Sequence, residues 1–422
     1  MQNLAQIQGA LRGKAYARAF AGMYGEDGGG ALPRYERLAV SFHQRFGSTS
    51  GLRFYSAPGR TEILGNHTDH NKGCVLAAAV TLDNVAAAAP TDDGIMTVVS
   101  EGYGVFTVDT RQLAPVPAEE GTTPAILRGI AARLAELGKP IGGFCAVVES
   151  TVASGSGLSS SASFEVLIVS ILCDLYAGCM PGSEMAKTAQ YAENRFFGKP
   201  CGLMDQTASA MGGLVFIDFG PDEPDIVSLS YDFAGAGYHV VVVSPGGSHD
   251  HLTPEYAAIP GEMKAVASAL GGSVLRDATP EALMAAMPTL RGAVPDRALL
   301  RAMHFYDENR RVADAAAALR ADDLPRFFAQ VNASGDSSWA LLQNVYVGGS
   351  LDQPLALALA LAKRLLGGEG ACRVHGGGFA GTILAFVPDA RLNAFVQAMN
   401  AAFGPDACQA LGIRPASAGR VV

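Results

Sequence analysis

A chain of 422 residues, 49% hydrophobic and 17% charged, has room for two to three domains at roughly 150 residues each, with a core that needs no disulfide or metal to hold it. A net charge of −9 argues against a nucleic-acid partner, because phosphate backbones attract surfaces rich in Lys and Arg. Seven cysteines (74, 145, 173, 179, 201, 372 and 408), odd in number and without a CxxC pair, read as reduced thiols of a cytoplasmic protein rather than a disulfide frame or a zinc site.

The N-terminus lacks the basic and apolar regions of a signal peptide, and no run reaches the ~18 apolar residues of a membrane span, so no membrane partner is expected. Strand-like runs follow at 53–57, 74–80, 96–99, 105–108 and 144–148. A helix is predicted from Thr123-Pro124 to the Gly138 stop, and another from Ser183 to the Gly198-Lys199-Pro200 break. Strands are expected at 214–218 and 239–243, separated by the turn-rich stretch 220–237, the best candidate for a domain boundary. The second half reads as more helical, over 262–270, 299–320, 324–344, 354–366 and 390–403, with strands around Arg373 and at 382–387.

Four segments carry chemistry. The first, Ser154-Gly155-Ser156-Gly157-Leu158-Ser159-Ser160-Ser161, lies between a strand-like run and an apolar helix. Glycines let backbone N–H groups approach an anion, and a helix N-terminus favours negative charge. A serine-rich cap after a tight turn is the plainer reading. It is not a Walker A loop, since no Gly-Lys-Ser/Thr occurs in the chain, and Ser160 replaces the third glycine of a dinucleotide motif. The second segment, from Arg60 to His70, is dense in side chains suited to a polyhydroxylated ligand. Alternatives there are a polar turn capped by Asn66 and Asp69, or a metal site from His67, Asp69 and His70 with His249 and His251. In the third, Asp205 precedes a short helix that it could simply cap. The fourth, Gly376-Gly377-Gly378-Phe379-Ala380-Gly381, is either an unusual turn or a backbone wall beside a ligand.

Together, in order and spacing, these segments resemble the GHMP small-molecule kinases, and the galactokinases among them, from about Arg53 to Phe386. The stretch from Arg60 to Gly73 resembles the sugar signature, Gly155–Ser161 the phosphate loop, Gly376–Gly381 the third motif, and Ser248–Tyr256 the segment with a sugar-contacting tyrosine. The resemblance implies an α+β chain of two domains, an N-terminal ribosomal-S5-like domain at 1–228 and a C-terminal ferredoxin-like domain at 229–422, with the active site in the cleft between them. It implies transfer of a phosphoryl group from ATP to the 1-hydroxyl of galactose. Asp205 and Arg60 would be catalytic. Asn66, His67, Asp69 and Tyr256 would line the sugar pocket. Gly155, Ser156, Gly157, Leu158, Ser159, Ser160 and Ser161 would wrap the nucleotide phosphates, and Ser161 with Glu193 would hold Mg²⁺.

Three positions depart from the family pattern: Asn66 stands where Glu is commoner, Ala153 where Pro is usual, and Ala380 where Gly is usual. An amide at 66 accepts fewer hydrogen bonds than a carboxylate and carries no charge. The sugar is therefore open between galactose and another monosaccharide, such as arabinose or N-acetylgalactosamine. A non-catalytic sugar and ATP sensor is the rival from another class, and a metal hydrolase built on the two histidine clusters a third. The enzyme is expected as a monomer.

Overall fold

Residues 3–25, 28–153, 157–247 and 252–422 are described in the structure, a computed structural model. Three helices open the chain: α1 (Leu4–Leu11), α2 (Lys14–Tyr24) and α3 (Ala31–Phe46). On α3, Tyr35, Leu38, Ala39 and Phe42 are buried at the three- and four-residue spacing of one helix face. Then follow β1 (Arg53–Leu64), β2 (Cys74–Thr91), β3 (Ile95–Ser100), β4 (Gly104–Asp109), α4 (Thr123–Glu136), β5 (Gly143–Ser150), α5 (Ser160–Leu172), α6 (Gly182–Ala192), α7 (Met204–Met211), β6 (Leu214–Asp218) and β7 (Asp225–Leu229).

These strands form one sheet in the order β1-β2-β5-β3-β4. The first half of the 18-residue β2 pairs with β6, and β6 with β7, while its second half pairs with β5. Alternation along β2 divides the packing: Val85, Ala87 and Ala89 face α1–α3, whereas Ala86 and Ala88 face α4–α6. A strand buried on both faces reads as an almost unbroken apolar run, and β2 does. The helix from Ser160 through Ala177 is long and apolar enough by composition to cross a membrane, and here it is a core helix lying against that sheet.

The rest comprises β8 (Tyr238–Val243), α8 (Thr253–Ala269), α9 (Pro280–Ala293), α10 (Asp296–Arg320), α11 (Leu324–Ser337), α12 (Pro354–Leu366), β9 (Ala371–His375), β10 (Thr382–Pro388), α13 (Asp389–Phe403), β11 (Cys408–Leu411) and β12 (Gly419–Arg420). Its sheet is antiparallel in the order β11-β8-β10-β9. In chain order that is fourth, first, third, second, with helices in the first and last connections, which is the ferredoxin-like split βαβ arrangement. Helices α12 and α13 cover one face. The other face shares a core with α10, α11 and residues Ile63, Leu64, Leu76 and Val80 of the first sheet, so the two halves are joined by buried apolar surface.

Some expected spans differ. The stretch 220–237 holds strand β7, which extends the first sheet, and the expected boundary at 228/229 lies at the C-terminal end of that strand. The last strand, β12, returns to pair with β1. The helix expected over 324–344 ends at Ser337 and continues as a wider turn over Ser338–Leu342.

Candidate active site

Strand β1 carries the centre of the site. Its register against β2 shifts between Pro58 and Arg60, a bulge that re-aims the following side chain. Gly59 permits the close approach beside it, for a Cβ there would lie 2.9 Å from the Leu158 carbonyl oxygen. The Arg60 amide instead donates to that oxygen at 3.0 Å, tying β1 to the serine-glycine loop. The buried Arg60 guanidinium then donates through Nε and Nη2 to both oxygens of Asp205, each at 2.7 Å, and through Nη1 to the Gly157 carbonyl. A planar fork meeting a carboxylate in this way fixes orientation as well as charge.

Asp205 lies in the first turn of α7 but does not cap it; no side chain caps that helix. Its carboxylate also accepts from the Ser159 hydroxyl. Burial pushes the Asp205 carboxyl up, yet the charge and hydrogen bonds of Arg60, the Ser159 hydroxyl and Lys199 together hold it below the usual carboxylate range. Its side chain remains 32% exposed, so an oxygen stays reachable from the cleft. Asp69 lies close by. A Cβ on Gly202 would collide with Asp69 Oδ2, so only glycine lets this carboxylate sit against the loop that precedes α7. Burial pushes the Asp69 carboxyl up, opposed by His67.

The sugar-signature residues meet the glycine cluster through three successive carbonyls. Asn66 Nδ2 donates to Gly376 O at 2.6 Å, His67 Nε2 to Gly377 O at 2.9 Å, and the Tyr256 hydroxyl to Gly378 O at 2.7 Å. Asn66 is buried, and its carboxamide is fully used, with Nδ2 also on Glu62 and Oδ1 accepting from Asn344 at 2.7 Å. Helix α10 clamps the same loop from behind. Glu308 accepts from the Gly65 amide, Asn309 from the Cys74 amide, and His304 Nε2 donates to the Asn66 carbonyl at 3.0 Å. Burial drives His304 down to about 4, so the ring is neutral, with Nδ1 on the Ser337 hydroxyl. His375 bridges Thr61 and Thr382 behind Gly157, and burial drives it down to about 3.

On the other side of Asp205, Ser160 and Ser161 begin α5, with Ser159 at its cap in a left-handed conformation. The Ser161 side is exposed, whereas Leu158 is anchored in the core. Gly155 and Ser156 of the expected phosphate loop, and His249 and His251, lie outside the described residues. Ser160 and Ser161 border a cavity of about 250 Å³ walled by Tyr103, Phe106, Ile126, Phe164 and Phe197, with Glu165, Glu193 and Lys199 at the polar end. Gln206 Nε2 donates to Glu165 at 3.1 Å and to Glu193 at 2.9 Å, and Lys199 Nζ pairs with the other Glu193 oxygen at 3.0 Å. Burial and the neighbouring Glu193 push Glu165 up to about 8. Among the described residues no three His, Cys, Asp or Glu side chains form a metal-binding group, so His67, Asp69 and His70 do not make the zinc-type centre that their spacing left open.

Comparison with known proteins decides the family. The galactokinase galactose-binding signature matches residues 40–90, and the GHMP kinase N-terminal domain matches residues 125–213. A galactokinase from Streptomyces coelicolor is 33% identical over 374 residues, 87% of this chain and 94% of that protein. The chain belongs to the galactokinase family. Its fold is similar to that of a Lactococcus lactis galactokinase solved with galactose, at a TM-score of 0.78 and 23% identity over 92% of this chain and 99% of that one. It is also similar in fold to a Methanococcus jannaschii mevalonate kinase, at a TM-score of 0.61 and 14% identity over 85% and 98%. Galactokinases are sugar kinases, and ATP is the family's phosphoryl donor.

Sequence reasoning found the motifs and missed what supports them. The aromatic cavity is assembled from β3, β4, α4, α5 and the turn after α6, with no contiguous pattern to reveal it. His304 and Glu308 sit on an otherwise ordinary helix, four residues apart on one face. Lys199 and Glu165 were visible only as members of longer segments.

Proposed function

We propose that this enzyme transfers the γ-phosphoryl group of ATP to the 1-hydroxyl of galactose, giving galactose 1-phosphate and ADP. The observation that carries the reading is the bidentate Arg60–Asp205 pair at the junction of the sugar signature and the serine-glycine loop. The sugar would lie between Asp205 and the wall of Asn66, His67, Asp69 and Tyr256. The triphosphate would meet Gly157, Ser160 and Ser161 at the start of α5, where the N-terminal amides of the helix and its dipole favour anions. The nucleoside would fill the aromatic cavity.

Phosphoryl transfer passes through a loose transition state, so positioning and charge neutralisation supply most of the acceleration. A carboxylate held below its usual range is a weak base. Asp205 therefore orients the sugar hydroxyl and takes its proton late, as the new O–P bond forms and the bond to the β-phosphate oxygen breaks. Arg60 keeps Asp205 ionised and aimed, and its charge faces the transferring group. The Ser161 hydroxyl and the Glu193 carboxylate offer the hard oxygen donors that suit Mg²⁺, with Glu165 close behind. Bound there, Mg²⁺ would neutralise phosphate charge.

The Asn66 amide, His67 Nε2 and the Tyr256 hydroxyl all bond to protein partners and shape the wall, so direct hydrogen bonds to the sugar fall mainly to the carboxylates Asp69 and Asp205. ADP release measured with galactose, arabinose and N-acetylgalactosamine tests the reading. Galactose is expected to give the highest kcat/KM. A higher value with another sugar reassigns the substrate, and ADP release with none of them removes the kinase reading.

A further inference from the structure

We propose that Lys199 is the cation that grips the nucleotide's phosphates, and that its pair with Glu193 is a resting contact. The inference rests on the kinase reading above and adds a residue to it. A triphosphate carries several negative charges, and the usual P-loop lysine is absent because the chain contains no Gly-Lys-Ser/Thr. Arg60 has three of its five N–H groups committed to Asp205 and to the Gly157 carbonyl, so its charge is already largely matched and a triphosphate calls for a further cation. Among the described residues that line the cavity beside Ser160 and Ser161, Lys199 is the one cation.

Local structure explains how it arrives there. Helix α6 widens into the turn Glu193–Phe197 and stops at Gly198, whose φ of 83° is a left-handed conformation that suits glycine. The chain then doubles back, the Lys199 amide donates to the Glu193 carbonyl at 3.2 Å, and the side chain lies over the Glu193 carboxylate. The two partners differ in exposure. The Lys199 side chain is 61% exposed and Glu193 only 5%, so the ammonium faces the open side of the site on a flexible stem. The exposed ammonium can swing away without itself being desolvated, but the buried Glu193 carboxylate then needs another counter-charge, which a cation arriving with the nucleotide would supply. Phosphate oxygens arriving at the N-terminus of α5 would offer the ammonium stronger, charge-assisted hydrogen bonds. Glu193 would then be left free for the cation that accompanies the nucleotide.

The rival role for Lys199 is simply to neutralise Glu193, and metal-free nucleotide binding separates the two. ATP binding to the full chain is measured by titration calorimetry in excess EDTA for wild type, Lys199→Gln and Lys199→Arg. Loss of one charge-assisted contact should weaken ATP binding about tenfold or more in Lys199→Gln, with Lys199→Arg recovering most of it. In steady-state assays with Mg²⁺ the same variant should raise KM for ATP and leave KM for the sugar unchanged. Equal metal-free affinity in wild type and Lys199→Gln overturns the inference while the kinase reading stands. A wild-type chain that binds no ATP even with Mg²⁺ present overturns both.

Discussion

Glu308, His304 and Asn309 of α10 hold the sugar-signature loop by its backbone, and Gly376, Gly377 and Gly378 receive Asn66, His67 and Tyr256 in turn. On the other side of Asp205, among the described residues, Ser161 and Lys199 are exposed, and the neighbouring cavity is lined by aromatic side chains together with Glu165 and Glu193, which Gln206 bridges. One half of the site is thus a hydrogen-bonded network spanning both sheets, the other an accessible helix terminus beside the exposed Lys199. Damage to the first should cost stability and sugar recognition together, because buried polar groups left unpaired are expensive. Damage to the second should cost nucleotide affinity and leave the fold intact.

The sharpest way to break the comparison is Glu308→Ala. This buried carboxylate accepts from Gly65, Ser334 and Arg311, and removing it should cost about 3–5 kcal/mol in urea denaturation. A loss below about 1 kcal/mol would mean that the network is not the scaffold described. Next comes His304, which titrates at about 4 in the fold against 6.5 unfolded. Between those values the unfolded chain binds the proton first, so the contribution of His304 is intact above pH 6.5 and is lost as pH falls towards 4. The stability advantage of wild type over His304→Gln should shrink by on the order of 3 kcal/mol across that window. Denaturation midpoints that stay parallel from pH 7.5 to 5 would contradict it.

A smaller effect is expected from Gly377→Ala, whose Cβ would lie 2.7 Å from the Tyr256 ring. Moving that ring should cost about 1–3 kcal/mol, read as a higher KM for sugar with KM for ATP unaltered. Smallest is Phe106→Ala in the aromatic cavity, where KM for ATP should rise by the equivalent of about 1 kcal/mol while the unfolding midpoint holds. A matching rise in KM for sugar would show that the two halves are not separable.

Motifs were legible where a short segment carries its own chemistry. Arg60, Asp205, Ser159 and Gly157 come from three separated segments, and family resemblance brought them together before any geometry did. The glycine cluster, open between an unusual turn and a wall beside a ligand, forms a turn with positive φ at Gly376, Gly378, Phe379 and Gly381, and Asn66, His67 and Tyr256 donate to three of its carbonyls. Strand β2 was expected to stop at Val80 and runs to Thr91, since Ala86–Ala89 has low strand propensity and is held there by pairing with β1 and β5. Strand β7 was hidden by Pro and acidic residues before it. Charge clamps such as Glu308 on the Gly65 amide join positions 243 residues apart, and no local pattern announces them.

The most direct test of the Arg60–Asp205 junction is Asp205→Asn, which keeps a group that Arg60 can still hydrogen-bond but removes the charge and the proton acceptor. Single-turnover phosphorylation should slow by about 10²–10⁴-fold, with sugar affinity by calorimetry close to wild type. A variant that turns over at the wild-type rate would contradict the role assigned to Asp205 and the account built on it.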